Sequence, residues 1–152
     1  SATTRAPRKG EVDGVNYFFL TREEFDRRVA NGEFVEWAEV HGNCYGTLVS
    51  EVQSKLASGS SLILEIDVQG ALQVKERFPE AVLIFIKPPS LEVLRERLVG
   101  RGTETPETIE LRMANAADEL ALADRYDDVV VNDDLDRATD ELVRVLDMHE
   151  RI

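Results

Sequence analysis

The sequence predicts an α/β fold in which helices cover both faces of a mainly parallel sheet. Two apolar runs, at residues 62–68 and 81–86, are separated by a helical stretch that ends near Phe78. The second run has no polar interruption, which is typical of a parallel strand buried on both faces. A further apolar run at 129–131 is followed by apolar residues at helical spacing, so strands and helices alternate along the chain.

Local signals predict the first helix directly after residue 20. Thr21 as N-cap and Glu24 three residues later form a capping box, and Leu20 and Phe25 can pack together as a hydrophobic staple. Gly32 is a suitable end for this helix. A second, short helix is expected at residues 49–57.

Residues 34–40 and 44–47 predict two strands of a small β-rich insert. Alternation places Phe34, Glu36 and Ala38 on one side of the first strand. Glu36 therefore shares a face with apolar neighbours, where its carboxylate must find hydrogen-bond donors in the fold or in a ligand. A solvated acid on an edge strand is the alternative reading of this glutamate.

Capping residues and helical spacing predict the helices of the second half. Ser90 is the N-cap of one helix, and Pro106 is the first residue of the next. An arginine-rich excursion near residue 100 lies between them. The closing helix repeats apolar residues at three- and four-residue steps: Leu135, Ala138, Leu142 and Val145.

Composition excludes several classes of protein. Eighteen basic against thirty acidic residues argue against a protein that binds nucleic acid by neutralising many phosphates. No apolar run approaches the roughly 20 residues that span a bilayer, and no signal peptide opens the chain. The single cysteine, Cys44, excludes an internal disulfide and a Cys-rich metal site, and we expect a small buried or half-buried thiol there. We therefore expect a soluble protein of the cytoplasm.

A cationic segment opens this acidic chain. No acid precedes Glu11, and three basic residues do: Arg5, Arg8 and Lys9. Pro7 disfavours a helix here, so Arg5 and Arg8 lie on an extended or turning segment that suits a small anion such as phosphate. Tyr17 could add a hydroxyl to the same site. The alternative is a frayed tail whose charges have no function.

Two further groups of charged residues could carry chemistry. The carboxylates are Glu36, Glu65 and Asp67; the arginines are Arg97, Arg101 and Arg112. Asp67 would lie beyond the carboxyl end of its strand, where ligands bind in open α/β sheets. Phosphoryl transfer needs mainly positioning and positive charge, which separate arginine clusters can supply. A solvated helix face with i,i+4 ion pairs is the alternative for the arginines.

Six motifs occur in order along nearly the whole chain: Ser1-x-Thr-Thr-Arg5-x-Pro-Arg8-x-Gly10-Glu11-x-x-Gly14-x-x-Tyr17, Phe34-Val35-Glu36-Trp37-Ala38, Gly42-Asn43-Cys44-Tyr45-Gly46-Thr47, Glu65-Ile66-Asp67-Val68-Gln69-Gly70, Gly100-Arg101-Gly102-Thr103 and Val131-Asn132-Asp133-Asp134. This ordered series resembles the bacterial-type guanylate kinases, which phosphorylate GMP from ATP. The resemblance implies the fold of P-loop nucleoside monophosphate kinases, with a parallel sheet covered on both faces, a β-rich GMP-binding insert and a helical lid.

The resemblance also implies roles for individual residues. The GMP phosphate would be held by Arg5, Arg8, Tyr17 and Tyr45. Guanine would be read by Ser1, Glu36, Thr47 and Asp67. This assignment is chemically sensible because guanine's N1–H and exocyclic amine are donors and carboxylates are acceptors. Adenine lacks that pair of donors and would leave the carboxylates unpaired.

The remaining implications concern the ATP side. Arg97, Arg101 and Arg112 would be phosphate contacts of the lid, Asn132 would lie near ATP, and Mg²⁺ would accompany ATP. Glu65 stands where members of the family commonly have Asp, near the metal and phosphates, and we assign no direct metal ligand. The expected segments are a GMP-binding subdomain at 1–48, core at 49–95, lid at 96–115 and core at 116–152.

One feature of the family is absent from the sequence. No Gly-rich phosphate loop ending in Gly-Lys-Ser/Thr occurs in the 152 residues. We therefore expect that a strand, loop and helix precede Ser1 in the intact enzyme, and that this chain alone binds GMP weakly and does not turn over. The alternative is a non-catalytic guanylate-kinase-like module that binds phosphorylated protein partners. No oligomeric state follows from the sequence.

Overall fold

The computed structural model describes residues 1–150, which fall into two compact units, Ser1–Glu80 and the part that begins at Ala81. The first unit contains strands β1 (Ala2–Thr3), β2 (Phe18–Phe19), β3 (Phe34–Val40) and β4 (Asn43–Leu48) and helices α1 (Arg22–Ala30), α2 (Val49–Ala57) and α3 (Val68–Arg77). The second contains strands β5 (Ile84–Lys87) and β6 (Asp128–Val131), helices α4 (Leu91–Arg101), α5 (Pro106–Ala121) and α6 (Leu135–Glu150), and a 3₁₀ turn (Ala123–Arg125).

The first unit is built on a four-stranded sheet with the order β2-β1-β4-β3. Strand β1 pairs parallel with β2 and antiparallel with β4, and β3 and β4 form an antiparallel hairpin. One face of the sheet packs against α1 through a core cluster of Ala2, Phe25, Phe34, Cys44 and Leu48. The buried thiol expected at Cys44 is thus confirmed.

Helix α1 begins as its capping signals predict. The backbone N–H of Glu24 donates to Thr21 Oγ1 at 3.1 Å, and Leu20 packs against the cluster that contains Phe25. Asn31 is the C-cap, one residue before Gly32. Local capping chemistry therefore determines both ends of this helix.

A β-bulge at Val35 changes which side chains of β3 share a face. Phe34 lies opposite Leu48 and Glu36 lies opposite Thr47, so two steps along β3 match one step along β4. The Phe25 ring contacts the rings of both Phe34 and Trp37, at centroid distances of 4.5 and 6.1 Å. The predicted alternation was therefore wrong at this point, because Phe34 and Glu36 lie on opposite faces of the sheet.

The apolar run at 62–68 does not form the predicted strand in the described residues. Residues 61–67 have no regular structure, Ile63 is 69% exposed, and Val68 begins helix α3. An apolar composition suits an extended backbone, but a strand also needs a hydrogen-bonded neighbour. Glu65 and Asp67 therefore do not share a strand face, and the predicted βαβ unit with the run at 81–86 is not formed.

The second unit contains a parallel pair of strands, β5 and β6, which form at the apolar runs of 81–86 and 129–131. Their register runs from Ile84 opposite Asp128 to Lys87 opposite Val131. Helix α6 covers the pair with the helical pattern seen in the sequence: Ala138, Leu142 and Val145 join Val130 and Ile84. Within residues 1–150, no helix is long and apolar enough to cross a membrane.

The caps predicted for the middle helices are confirmed. Ser90 accepts from the backbone N–H of Val93 at 3.1 Å at the start of α4. Thr105 caps α5 by accepting from Thr108, and Pro106 is the first helical residue. The arginine-rich excursion thus lies on two capped helices.

Candidate active site

The face of the four-stranded sheet opposite α1 carries most of the predicted GMP-binding residues. Cys44 and Leu48 belong to the core cluster, so alternation turns Tyr45 and Thr47 of β4 to the other face. Thr47 lies opposite Glu36 on β3, and Tyr45 lies opposite Thr3 on β1. The hairpin therefore separates an apolar face that anchors the sheet from a polar face that can meet a ligand.

Glu36 is a buried carboxylate on this polar face. The residue is only 7% exposed, and its Oε1 accepts a hydrogen bond from the Thr47 hydroxyl at 2.7 Å. Burial raises the pKa of Glu36, and the nearby charge of Asp67 raises it further, whereas the Thr47 hydrogen bond lowers it. The alternative of a solvated edge acid is therefore wrong for Glu36.

Asp67 lies close to Glu36 at the first turn of α3. It is the N-cap of this helix, because Oδ1 accepts from the backbone N–H of Gly70 at 2.9 Å. A Cβ atom at Gly70 would fall 2.9 Å from Glu36 Oε2 and 3.1 Å from Asp67 Oδ1. Glycine at this position therefore lets both carboxylates approach the same turn.

The capping role of Asp67 does not follow from the predicted strand. An acid directly before a helical stretch is a recognisable N-cap signal. The apolar run at 62–68 obscures this signal, because it suggests one continuous strand with Asp67 near its end.

Arg5 is the centre of a second group on the same unit. Its Nη1 and Nη2 atoms donate to the two carboxylate oxygens of Glu11 at 2.9 and 3.0 Å, and Nη1 also donates to the Ala6 carbonyl. The guanidinium carbon lies 5.5 Å from the centre of the Tyr17 ring, which meets the Tyr45 ring edge-on at 6.4 Å. Three predicted phosphate-binding residues thus converge.

The segment that carries Arg5 is part of the sheet and not a frayed tail. Thr3 is fully buried, and its hydroxyl accepts from the backbone N–H of Arg5 at 3.1 Å. The backbone N–H of Thr4 donates to the Cys44 carbonyl. The side chain of Arg8 is different, because this residue is exposed and its backbone, not its guanidinium, makes the hydrogen bonds of the turn.

Glu11 is a residue that the sequence reasoning did not assign to the site. Besides Arg5, it accepts from the backbone N–H of Arg8 at 2.6 Å. The hydrogen bond from Arg5, followed by that from Arg8, lowers the pKa of Glu11. Its position as the first acid after the cationic segment was the signal that could have identified it.

Ser1 directly precedes strand β1. Its carbonyl accepts from the backbone N–H of Phe18 at 2.8 Å, and the residue is exposed. Because Ala2 lies opposite Gly46, Ser1 is in register with Thr47 of β4. The residues predicted to read guanine therefore lie on three neighbouring strands and at the start of α3.

In the second unit, the guanidinium of the predicted site residue Arg97 binds backbone carbonyls. Arg97 donates from Nη1 to the carbonyl of Asn132 at 2.9 Å and from Nη2 to that of Asp133 at 3.3 Å. Arg137 of α6 donates to the Val131 carbonyl at 2.6 Å and to Asp133 Oδ1 at 2.7 Å. Two guanidiniums thus hold the backbone that follows β6.

The other arginines are on the surface of α4 and α5. Arg112 forms an ion pair with Glu104 at 3.0 Å, and Arg101 is exposed. Arg95 of α4 is paired with Glu110 of α5. We considered i,i+4 ion pairs along one helix as the alternative for these arginines. Arg95 and Arg112 do not form such pairs, because neither acidic partner lies four residues away on the same helix.

A cluster of Arg5 with two tyrosines and a pair of close carboxylates on an α/β scaffold suit a phosphotransferase that acts on nucleotides, and comparisons with known proteins show such a family. The family model described as guanylate kinase matches residues 1–149. Among curated relatives, the guanylate kinase of Halalkalibacterium halodurans is 56% identical over 146 residues, which are 96% of this chain and 72% of the relative. That of Gloeobacter violaceus is 58% identical over 146 residues, covering 96% and 71%.

A solved structure agrees with these relatives. The crystal structure of guanylate kinase from Anaplasma phagocytophilum has a TM-score of 0.72 and 40% sequence identity, over 97% of this chain and 72% of that one. The chain belongs to the guanylate kinase family, whose members transfer a phosphoryl group from ATP to GMP. The resemblance seen in the sequence motifs, and the fold and function that it implied, are confirmed.

Proposed function

We propose that the polar face of the four-stranded sheet binds GMP, with guanine at the Glu36–Asp67 pair and the phosphate at Arg5. The observation that carries this proposal is the geometry of β4. Thr47 of this strand contacts Glu36, and Tyr45, two residues earlier on the same face, contacts Tyr17 beside Arg5. One strand therefore connects a group of acceptors to a group of cations and hydroxyls.

The Glu36–Asp67 pair suits guanine because, in the free chain, few hydrogen-bond donors compensate the negative charge of these carboxylates. Glu36 is buried beside another acid, and the Thr47 hydroxyl is a single neutral donor. Guanine presents N1–H and an amine on one edge, and these donors would stabilise the charged carboxylates. Adenine has no such pair of donors, so its binding would desolvate the acids without compensation.

The phosphate group would be held by Arg5, by the hydroxyls of Tyr17 and Tyr45, and by Arg8. Arg5 is already fixed by its neighbours, and charge-assisted hydrogen bonds from guanidinium to phosphate are strong. Arg8 is exposed and its side chain is free to turn towards a bound anion. The exposed serine Ser1, in register with Thr47, would complete the guanine contacts.

The arginines of the second unit would stabilise the phosphates during transfer. Arg97, Arg101 and Arg112 supply positive charge, which is the main requirement of phosphoryl transfer. Asn132 would contribute to the ATP side, where Arg97 holds its backbone. The segments 1–48, 49–95, 96–115 and 116–152 and a cytoplasmic location belong to the same proposal.

Magnesium would enter with ATP. Mg²⁺ is usually held by one or two carboxylates together with substrate phosphates and waters. The exposed carboxylate of Glu65 fits such a limited role, and the described residues contain no group of three or more acidic, His or Cys side chains that could hold a metal. When bound, the ion would neutralise charge on the ATP phosphates, while Glu65 would orient it.

Calorimetric titration of the chain with GMP and with AMP tests the base assignment. We expect GMP to bind and AMP to give no response, because only guanine satisfies the carboxylate pair. Equal binding of the two nucleotides would contradict the guanine assignment. Binding of a phosphorylated peptide in preference to GMP would instead support the non-catalytic module, in which the Glu36–Asp67 pair has no use.

Replacement of Arg8 tests the phosphate assignment. Arg8→Ala should weaken GMP binding by about 1.5–3 kcal/mol, the usual contribution of a hydrogen bond to a charged group. Lys9→Ala is the matched control, since Lys9 is an exposed neighbouring cation without an assigned role. A loss below about 0.5 kcal/mol in Arg8→Ala would leave its side chain a solvated surface cation.

A further inference from the structure

We propose that Glu11 is a positioning residue that orients Arg5 for the substrate phosphate. This inference rests on the proposed GMP site and adds to it a residue that would not touch the substrate. It is carried by the geometry of the Arg5–Glu11 pair, by the burial of both side chains, and by the turn that fixes Glu11.

The hydrogen bonds of Arg5 to Glu11 and Ala6 use three of the hydrogens of its guanidinium. Glu11 takes one hydrogen from Nη1 and one from Nη2, and the Ala6 carbonyl takes the second Nη1 hydrogen. A guanidinium has five N–H hydrogens in a rigid plane. The two others, on Nε and Nη2, lie along another edge near the Tyr45 hydroxyl, and this edge can grip a phosphate through two parallel bonds.

The pair is held on several sides. The side chains of Arg5 and Glu11 are only 14% and 19% exposed, and the Tyr17 ring lies beside the guanidinium at 5.5 Å. The pKa of Arg5 is raised first by its hydrogen bond to Glu11 and also by Tyr45. A guanidinium fixed in this way loses little rotamer freedom when an anion arrives.

Glu11 is itself fixed by a turn of the backbone. It accepts from the N–H of Arg8 at 2.6 Å, and its own N–H donates to the Arg8 carbonyl at 3.0 Å. Gly10 has φ +88°, a left-handed conformation that other residues rarely adopt, and no atom lies within 4 Å of the place that a Cβ atom would take there. The glycine thus serves the turn, and the turn aims the carboxylate at Arg5.

Positioning and charge predict opposite effects of neutralising Glu11. A carboxylate near a bound phosphate repels it, so on charge alone its removal would tighten GMP binding. If Glu11 orients Arg5, its removal frees the guanidinium to adopt other rotamers and weakens GMP binding. The sign of the change therefore separates the two explanations.

The test is calorimetric titration of Glu11→Gln with GMP and with guanosine, which lacks the phosphate. We expect GMP to bind about tenfold more weakly, the loss of one hydrogen bond to a charged group. Guanosine should bind within about twofold of the unaltered chain, since its contacts lie at Glu36 and Asp67. Glu39→Gln, which removes an exposed partner of Arg22, is the matched control and should change neither titration.

Three outcomes would overturn the inference: unchanged GMP binding, tighter GMP binding, or an equal loss for GMP and guanosine. The first two exclude positioning, and the third shows a general effect on the fold. A double-mutant cycle gives a second measurement. If Glu11 acts through Arg5, then Glu11→Gln should have little further effect on GMP binding in an Arg5→Ala background, and additive losses would contradict this.

The same cycle separates this inference from the proposed function. If Arg5→Ala leaves GMP binding unchanged, the proposed phosphate site is wrong. If Arg5→Ala weakens binding and Glu11→Gln does not, the site stands and the positioning role of Glu11 is wrong.

Discussion

The charged residues of the first unit and those of the second are held in different ways. In the first unit, Arg5 and Glu11 form a half-buried bidentate pair, and Glu36 is buried against Thr47. In the second, Arg112 and Glu104 form a pair in which the arginine is 48% exposed, and Arg97 donates to backbone carbonyls. The residues proposed to bind GMP are therefore held by buried or half-buried partners, whereas Arg112 of the second unit has an exposed ion pair that it can exchange.

This difference is reasonable in energetic terms. Exposed ion pairs contribute about 0–1 kcal/mol, so an arginine can leave one at little cost when phosphate is offered. The buried carboxylate of Glu36 cannot relax in this way, because its displacement would require the sheet to move. We expect substitutions in the first unit to have large effects and comparable substitutions in the second unit to have small ones.

The largest effect is expected for Gly46→Ala in the first unit. A Cβ atom there would lie 2.6 and 2.8 Å from ring carbons of Phe34, whose ring is stacked on Phe25 and cannot withdraw. We expect a loss of about 2–3 kcal/mol in the free energy of unfolding, measured with urea. Gly100→Ala in α4, where nothing lies within 4 Å, should instead stabilise by about 0.5–1 kcal/mol. A similar loss in the free energy of unfolding for Gly46→Ala and Gly100→Ala would show that the two units do not differ in their response to substitution.

A smaller effect is expected on base selectivity in Glu36→Gln. The amide replaces a charged acceptor by a group that is both donor and acceptor, so the preference for GMP over AMP should fall by about 2 kcal/mol. Phosphate binding should change less, because Arg5 and its neighbours are untouched. The ratio of the two nucleotide affinities is the measurement, and an unaltered preference would contradict the role of Glu36.

The same variant should alter the pH dependence of stability. Burial raises the pKa of Glu36 in the folded chain, so its favourable contribution is complete below the unfolded pKa and is lost as pH rises through the folded pKa. The stability of Glu36→Gln relative to the unaltered chain should therefore increase across that window. Urea unfolding at a series of pH values gives this difference, and parallel curves would show that Glu36 does not titrate abnormally.

The smallest effect is expected for Arg97→Lys in the second unit. One ammonium group cannot readily reproduce the fork that reaches the carbonyls of both Asn132 and Asp133. We expect a loss of about 1 kcal/mol in stability, the usual contribution of one hydrogen bond, measured by urea unfolding. Arg101→Lys on the exposed part of α4 is the control and should stay within about 0.5 kcal/mol. A larger loss in Arg97→Lys than in Gly46→Ala would reverse the comparison.

Features determined by nearby residues could be predicted from the sequence. The caps of α1, α4 and α5 depend on a few adjacent side chains, and Thr21, Ser90 and Thr105 occupy the expected positions. The apolar runs at 81–86 and 129–131 likewise locate the strands β5 and β6.

Features determined by pairing partners could not be predicted. The bulge at Val35 depends on the register between β3 and β4, and sequence alternation contains no information about the opposite strand. The absence of strand structure at 61–67 is a matter of hydrogen-bonded neighbours and not of composition. The partners of Arg97, 35 and 36 residues further along the chain, belong to the same class of long-range contact.

The close approach of Glu36 and Asp67 at Gly70 has a consequence for how the substrate is chosen. If guanine binds at this pair as proposed, a proton on Glu36 and the N–H donors of guanine compete for the same carboxylate oxygens. Acidification towards the raised pKa of Glu36 should therefore lower the preference for GMP over AMP. Base selectivity at the proposed site would in that sense depend on acidity, through the spacing of two carboxylates around the Cβ position that Gly70 leaves empty.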